Sequence, residues 1–190
     1  MHSLIIFASG TGTNANAIIE HFKKNHKAKV ALIVSNNANA GVLDIARREE
    51  IPFLIVSKQT FYGTLLIEQL KDYNPSLIVL AGFLWKVPDA VINEFHGRII
   101  NIHPALLPGY GGKGMYGHKV HHAVLAARDK ESGITIHYVN EVYDEGNIIL
   151  QARCNVEKND GPDQLASRIH KLEHFYLPRV IEFLLEQNQS

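Results

Sequence analysis

The sequence predicts an α/β protein on a doubly wound, mostly parallel sheet of seven strands, with helices on both faces. Two recurring patterns carry that expectation. Short β-branched runs, nearly continuous in apolar character, read as strands covered on both faces. Segments of helical periodicity alternate with them, which is the signature of a parallel sheet flanked by helices. A third observation concerns the end of the chain. The last two strand-like runs are joined only by "EVYDEG", too short for a crossover, so they are predicted to form an antiparallel pair.

The predicted strands, in order, are "LIIFAS" (Leu4–Ser9), "KVALIVSN" (Lys29–Asn36), "PFLIVS" (Pro52–Ser57), "LIVLAGF" (Leu77–Phe83), "RIINIH" (Arg98–His103), "ITIHYVN" (Ile134–Asn140) and "NIILQARCNV" (Asn147–Val156). Helical periodicity appears in "NANAIIEHFKK", "NAGVLDIARREE", "YGTLLIEQLKDY" and "HHAVLAARDK". The closing segment "GPDQLASRIHKLEHFY" has Pro162 at a helix start, and Pro178 is predicted to end or kink that helix. Neither repeats nor a linker-like stretch divide the sequence, so residues 1–190 read as one domain.

Composition narrows the classes of function. A chain of 190 residues with 46% apolar and 20% charged residues can bury a substantial core. Lys+Arg and Asp+Glu both number 19, which argues against a broad nucleic-acid footprint or a polybasic membrane patch. The longest apolar stretch, "LIVLAGFLW", is short of a membrane span, and "MHSLIIFASG" lacks the basic start of a signal peptide. The single cysteine, Cys154, cannot form an internal disulfide, in keeping with a reducing compartment. The expectation is a cytoplasmic protein, with neither nucleic acid nor membrane as a partner.

In an open α/β sheet, ligands bind beyond the carboxyl ends of the strands, near the point where strand order reverses. Three segments meet that rim: "SGTGTN" after the first strand, "FLWKV" after the fourth and "NIHP" at the end of the fifth. Gly10 and Gly12 between a strand and a helix suit close approach of a phosphate to backbone N–H groups. The same stretch can be read simply as a helix start capped by Thr13 or Asn14. Asn101 and His103, two apart on a strand, point to one face. Histidine exchanges protons near neutral pH, and an asparagine amide can donate to an oxygen that gains negative charge. Together they suit acyl transfer, although a polar pair ending an edge strand would look the same. Asp144, in the turn before the last strand, could favour a protonated histidine or serve as ordinary turn chemistry. The histidines of "HKVHHA" (His118, His121, His122) read as a solvated helix start, since neither an HExxH pattern nor a second cysteine supports a metal site.

Taken in order, "SGTGTN", "LAGFLWKV", "INIHPALLPGY", "GITIHYVNEVYDEGNIILQ" and "HKLEHFYLP" resemble the folate-dependent phosphoribosylglycinamide formyltransferases over nearly the whole chain. The resemblance implies formyl transfer from 10-formyltetrahydrofolate, as cosubstrate, to the amine of glycinamide ribonucleotide in purine biosynthesis, by a monomer or homodimer and with no metal. It implies that Asn101, His103 and Asp144 are catalytic, with Asn101 steadying an oxyanion and Asp144 holding His103 and a water. Gly12, Thr13, Asn14, His170, Lys171, Leu172 and Glu173 would contact the ribonucleotide. Leu84, Trp85, Lys86, Val87, Asn101, Asn140, Glu141, Val142, Tyr143 and Asp144 would line the folate site. The sequence departs from many relatives at Gln59, where an arginine meets the folate tail; Lys58 stands beside it. The glycine-rich stretch from Gly109 to Gly117 is expected to form a mobile flap.

Other functions fit less of the chain. A formyltetrahydrofolate hydrolase usually carries an N-terminal regulatory domain, and methionyl-tRNA formyltransferase a C-terminal tRNA-binding domain. A nucleotide-binding regulatory module would leave Asn101, His103 and Asp144 without a role. A dinucleotide oxidoreductase would need the G-x-G-x-x-G fingerprint, which is missing.

Overall fold

The computed structural model describes residues 1–187. Seven strands form one sheet in the order β3-β2-β1-β4-β5-β6-β7. They are β1 (His2–Phe7), β2 (Ala28–Ser35), β3 (Phe53–Ile55), β4 (Leu77–Leu80), β5 (Ile99–His103), β6 (Glu131–Tyr138) and β7 (Ile148–Asn155). The helices are α1 (Thr13–Asn25), α2 (Val42–Arg48), α3 (Lys58–Phe61), α4 (Leu65–Lys71), α5 (Asp89–Glu94), α6 (His118–Ala127) and α7 (Pro162–Gln187). All seven predicted strands are present, and α3 and α5 are helices that the periodicity did not reveal.

Alternation along the central strands explains the layers. Leu4 and Ile6 of β1 face a core shared with α1, α2, α6 and α7, where Ile18, Leu43, Val120 and Ile181 are buried. Ile5 and Phe7 face the opposite core, filled by Phe61, Leu66, Leu70 and Val91 from α3, α4 and α5. Leu4 to Phe7 are at most 1% exposed, as two-sided burial of the strand requires. A buried leucine or isoleucine contributes roughly 1.5–3 kcal/mol relative to an exposed one, so these two cores hold the sheet rigid beneath its carboxyl rim.

Two expectations change. Alternation of strand and helix predicts parallel pairing up to the terminal hairpin, yet β6 is antiparallel to both β5 and β7. The connection leaving β5 stays at that strand's carboxyl end, where the Leu107 N–H donates to Thr135 Oγ1 on β6 at 3.0 Å. β6 therefore sets off from the end at which β5 finishes. Pro178, expected to end or kink the last helix, does not end it: α7 continues to Gln187. The ring removes one backbone hydrogen bond. Val180, Ile181, Leu184 and Leu185, all buried beyond it, keep the final turns on the core.

The close pairing of β6 with β7 depends on Gly133. A Cβ there would run into the Ala152 carbonyl, and would lie 2.7 Å from Leu106 Cδ2. Gly133→Ala is therefore expected to cost about 3 kcal/mol through overpacking. Gly10→Ala, where a Cβ meets nothing within 4 Å, should cost far less. Urea unfolding of both variants measures the difference.

Candidate active site

The order of strands places the rim where the chain reverses, between β1 and β4. Residues beyond their carboxyl ends are tied together, with the Ser9 N–H donating to the Gly82 carbonyl at 3.1 Å and the Leu84 N–H to Ser9 Oγ at 3.0 Å. Beside this junction lies a cavity of about 520 Å³. Its walls come from 10–14, 80–87, 101–104, 112–117, the turn after β6 and the middle of α7. Trp85 meets Phe61 edge-on at 5.4 Å, and Phe83 packs on both, so a rigid aromatic cluster backs the 83–87 wall.

At one end of the cavity, α1 begins without a side-chain cap. Gly12 occupies the N-cap position in the left-handed region, φ 80°, and a Cβ there would lie 2.8 Å from Val42. Thr13 and Asn14, expected to cap this helix in the plainer reading, do not. The first-turn amides thus keep their partial positive charge for a ligand. The Asn14 Nδ2 instead donates to Glu173 Oε2 on α7 at 3.1 Å, and Asn14 Oδ1 is buried without a partner. Glu173 is 6% exposed, and burial pushes its carboxyl up to about 7.

The polar centre forms where β5, β6 and the following turn meet. Asn101 pairs with His137 across β5 and β6, which puts both side chains on one sheet face, with His103 on that face two residues further along β5. The turn brings in Asp144, whose backbone is left-handed at φ 57°. Asp144 Oδ2 accepts from the Gly112 N–H at 2.9 Å and lies 3.6 Å from His103 Nδ1. Asp144 Oδ1 accepts from Asn101 Nδ2 at 3.4 Å and lies 3.6 Å from His137 Nε2. Asn101 Nδ2 and His137 Nε2 are 3.1 Å apart.

Carbonyl oxygens only accept, so the ring nitrogens facing them carry hydrogen. His103 Nε2 donates to the Tyr110 carbonyl at 2.8 Å, leaving Nδ1 toward Asp144. His137 Nδ1 donates to the Tyr138 carbonyl, also at 2.8 Å. Burial lowers the His103 pKa despite the Asp144 charge, which favours the cation. Burial pushes the Asp144 carboxyl up, but the His137 side chain, the charge that His103 carries once protonated at acid pH and the Gly112 amide outweigh it and hold the pKa below its ordinary value. The site at rest therefore pairs a neutral imidazole with an ionised carboxylate.

Most residues singled out in the sequence meet at this cavity. Asn101, His103 and Asp144 line it, as do Gly12, Thr13, Asn14, Leu84, Trp85, Lys86, Val87, Asn140, Val142, Tyr143, His170 and Glu173. Glu141, Lys171 and Leu172 stand outside its wall: Glu141 is exposed, Lys171 borders a separate depression on α7, and Leu172 packs against the core. Lys58 and Gln59 lie on α3, exposed, and neither lines the cavity. His121, expected in a solvated helix start, is only 2% exposed and lines the cavity. Burial, then the charges of His118, His170 and His122, push it down to about 4. The stretch expected as a mobile flap is anchored at Tyr110, whose hydroxyl donates to Asp129 Oδ2 at 2.6 Å, and at Gly112. Among the described residues, no cluster of three or more His, Cys, Asp or Glu could hold a metal, and no helix is long and apolar enough to cross a membrane. His137 is the central residue that sequence reading missed. Its position opposite Asn101 becomes visible only once β5 and β6 are known to pair antiparallel.

The sequence profile of the family described as "Formyl transferase" matches residues 2–181. Phosphoribosylglycinamide formyltransferase of Bacillus subtilis is 36% identical over 99% of this chain and 97% of its own length. The chain belongs to the formyl transferase family. The chloroplastic phosphoribosylglycinamide formyltransferase of Arabidopsis thaliana is 39% identical over 97% of this chain, which spans 65% of that longer protein. Among solved structures, glycinamide ribonucleotide transformylase 1 from Symbiobacterium toebii superimposes with a TM-score of 0.90 at 32% identity, covering 98% of this chain and 89% of that one. The resemblance read from the sequence motifs is thus the family that the comparisons find, and the mixed sheet of this formyl transferase is the fold of its neighbours.

Burial of Glu173 makes a testable statement about stability. Its pKa in the folded chain, about 7, lies above the ordinary 4.5. The folded state therefore holds more protons than the unfolded state across that window, and stability falls as pH rises through it. Glu173→Gln removes the group and should stabilise the chain at pH 8 by at most about 3 kcal/mol, with little effect at pH 4. Chemical denaturation at both pH values measures it; equal effects would contradict the assignment.

Proposed function

We propose that this chain transfers the formyl group of 10-formyltetrahydrofolate to the amine of 5-phosphoribosylglycinamide, giving the N-formyl ribonucleotide and tetrahydrofolate. The observation that carries the reading is the Asn101–His103–Asp144 group, with His103 buried and the other two half-buried, beside one continuous cavity that uncapped helix amides and an aromatic-backed wall also line. Residues 1–190 act as a single formyltransferase domain, as a monomer or homodimer in the cytoplasm.

The ribonucleotide phosphate sits at Gly12, Thr13 and Asn14, where N–H groups and the helix dipole favour an anion. His170 and Glu173 complete its surroundings. The pterin of the folate lies along Leu84 to Val87 and the turn holding Asn140, Val142, Tyr143 and Asp144. This arrangement brings the amine and the formyl carbon together beside Asn101 and His103, converting a bimolecular encounter into a positioned reaction.

The amine lone pair attacks the formyl carbon, a C–N bond forms, and the carbonyl electrons move onto oxygen. Asn101 donates to that oxyanion. Its amide hydrogens already meet His137 and Asp144, but the bond to Asp144 is long at 3.4 Å and is the one most easily exchanged for a charged acceptor. His103 Nδ1, unprotonated at rest, takes the proton that the amine loses, and the adjacent Asp144 carboxylate stabilises the imidazolium as it forms. Collapse of the intermediate expels the folate nitrogen, which recovers a proton from His103. Folate carries the one-carbon unit, so no metal enters the scheme.

Supplying 10-formyltetrahydrofolate with and without glycinamide ribonucleotide tests the reading. Tetrahydrofolate release should depend strictly on the ribonucleotide and match its formylation. Equal release without it would identify a hydrolase instead. His103→Ala should lose roughly 10²–10⁴-fold in turnover while remaining folded. Asn101→Ala should lose about 10²–10³-fold. Near-normal turnover by a folded His103→Ala protein would remove the catalytic assignment.

A further inference from the structure

We propose that Glu173 is held as a neutral carboxylic acid by Asn14, and that binding a ribonucleotide phosphate above neutral pH draws one proton into this pair. The inference rests on the functional reading above and adds a proton to the ligand that the site takes up.

The geometry begins with an unpaired atom. Asn14 Oδ1 is buried and has no hydrogen-bond partner, while Asn14 Nδ2 donates to Glu173 Oε2 at 3.1 Å. That is the one hydrogen bond of the Glu173 carboxyl among the described residues, and Glu173 is 6% exposed. A protonated Glu173 can donate its O–H to Asn14 Oδ1 while accepting from Nδ2. The result is a two-bond acid–amide pair with no polar atom left over. An ionised Glu173 only accepts, so Asn14 Oδ1 stays unsatisfied and a charge is buried with a single partner.

Position gives the pair its consequence. Asn14 lies in the uncapped first turn of α1, and Glu173 lines the same cavity. A phosphate dianion held by that turn is repelled by an ionised Glu173 close by, with little water to screen the two charges. The acid form removes the repulsion. With its carboxyl at about 7, Glu173 is largely ionised at pH 8, so a phosphate ligand must bring in a proton.

Other titratable groups face this region. His170 and His174 neighbour Glu173 on α7, and His121 approaches from α6. All three are lowered from the ordinary histidine value, in each case first by burial. Lys86 and Lys113 line other parts of the wall, and the first turn of α1 contributes no acidic residue. A phosphate could also be met by a proton on His170, so the test must separate the two sources.

The N-formylated product ribonucleotide is the suitable probe, because it carries the phosphate without an ionisable amine. Isothermal titration calorimetry in HEPES and in Tris at pH 8 should show uptake approaching one proton. At pH 6, Glu173 is already protonated and the phosphate itself can only release a proton on binding as a dianion, so no net uptake should appear. The dephosphorylated riboside should show none at either pH. Wild-type affinity for the product should weaken by up to about tenfold per pH unit above neutrality. Glu173→Gln should abolish the uptake and flatten that dependence. Uptake that persists in Glu173→Gln, an equal uptake with the riboside, or binding by the wild type at pH 8 with no proton exchanged would each overturn the inference while leaving the formyl-transfer reading intact. No binding of the product at either pH would overturn both.

Discussion

The Asp144 carboxylate is the point on which the rest of the site depends. A buried charge is tolerated only when its neighbours compensate it. Here the compensation comes from the Asn101 amide on β5 and the Gly112 N–H in the loop beyond β5, with His103 and, on β6, His137 each 3.6 Å away. Each is brought by a different part of the chain. Satisfying one carboxylate therefore fixes the strand ends, the loop and the turn relative to one another. The left-handed backbone of Asp144 and the absence of a side chain at Gly146, where a Cβ would meet the Tyr138 carbonyl, keep that turn against the sheet. Such local strain is stable only because the surrounding hydrogen bonds over-determine it.

The same burial that makes the charge costly makes it chemically useful. Desolvation keeps His103 neutral, and its bond to the Tyr110 carbonyl leaves Nδ1 as the free base. A proton arriving on Nδ1 meets the carboxylate at once. Around this centre the supports are apolar or already paired. Thr135 Oγ1 donates to the Ala105 carbonyl at 2.7 Å and accepts from Leu107 and Gln151, which pins the chain immediately after β5. The aromatic cluster behind 83–87 supplies a stiff wall, whereas the uncapped α1 supplies unspent N–H groups. Rigid elements thus present a small number of open valences to the ligands.

Much of this was legible in the sequence because it follows from local periodicity. Continuous apolar runs identified the strands, and the two-residue spacing of Asn101 and His103 put both on one face. The direction of β6 was not legible, because a helix between two strands ordinarily signals a parallel crossover. That misreading also hid His137, whose place beside Asn101 is a matter of register between distant segments. Burial of His121 was hidden similarly: in "HKVHHA" it is indistinguishable from its solvent-facing neighbours until α7 packs against α6. The Asn14–Glu173 pair joins residues 159 apart and has no local signature at all.

The central claim is that His103 rests as a neutral imidazole with its hydrogen on Nε2 and its free Nδ1 beside an ionised Asp144. Nitrogen-15 NMR of the histidine rings, followed through a pH titration of the wild type and of Asp144→Asn, measures this directly. The account predicts the Nε2–H tautomer for His103 near pH 7.5, and a midpoint that falls further when the Asp144 charge is removed. A His103 that is cationic at that pH, carries its hydrogen on Nδ1, or titrates identically in the two proteins would contradict it.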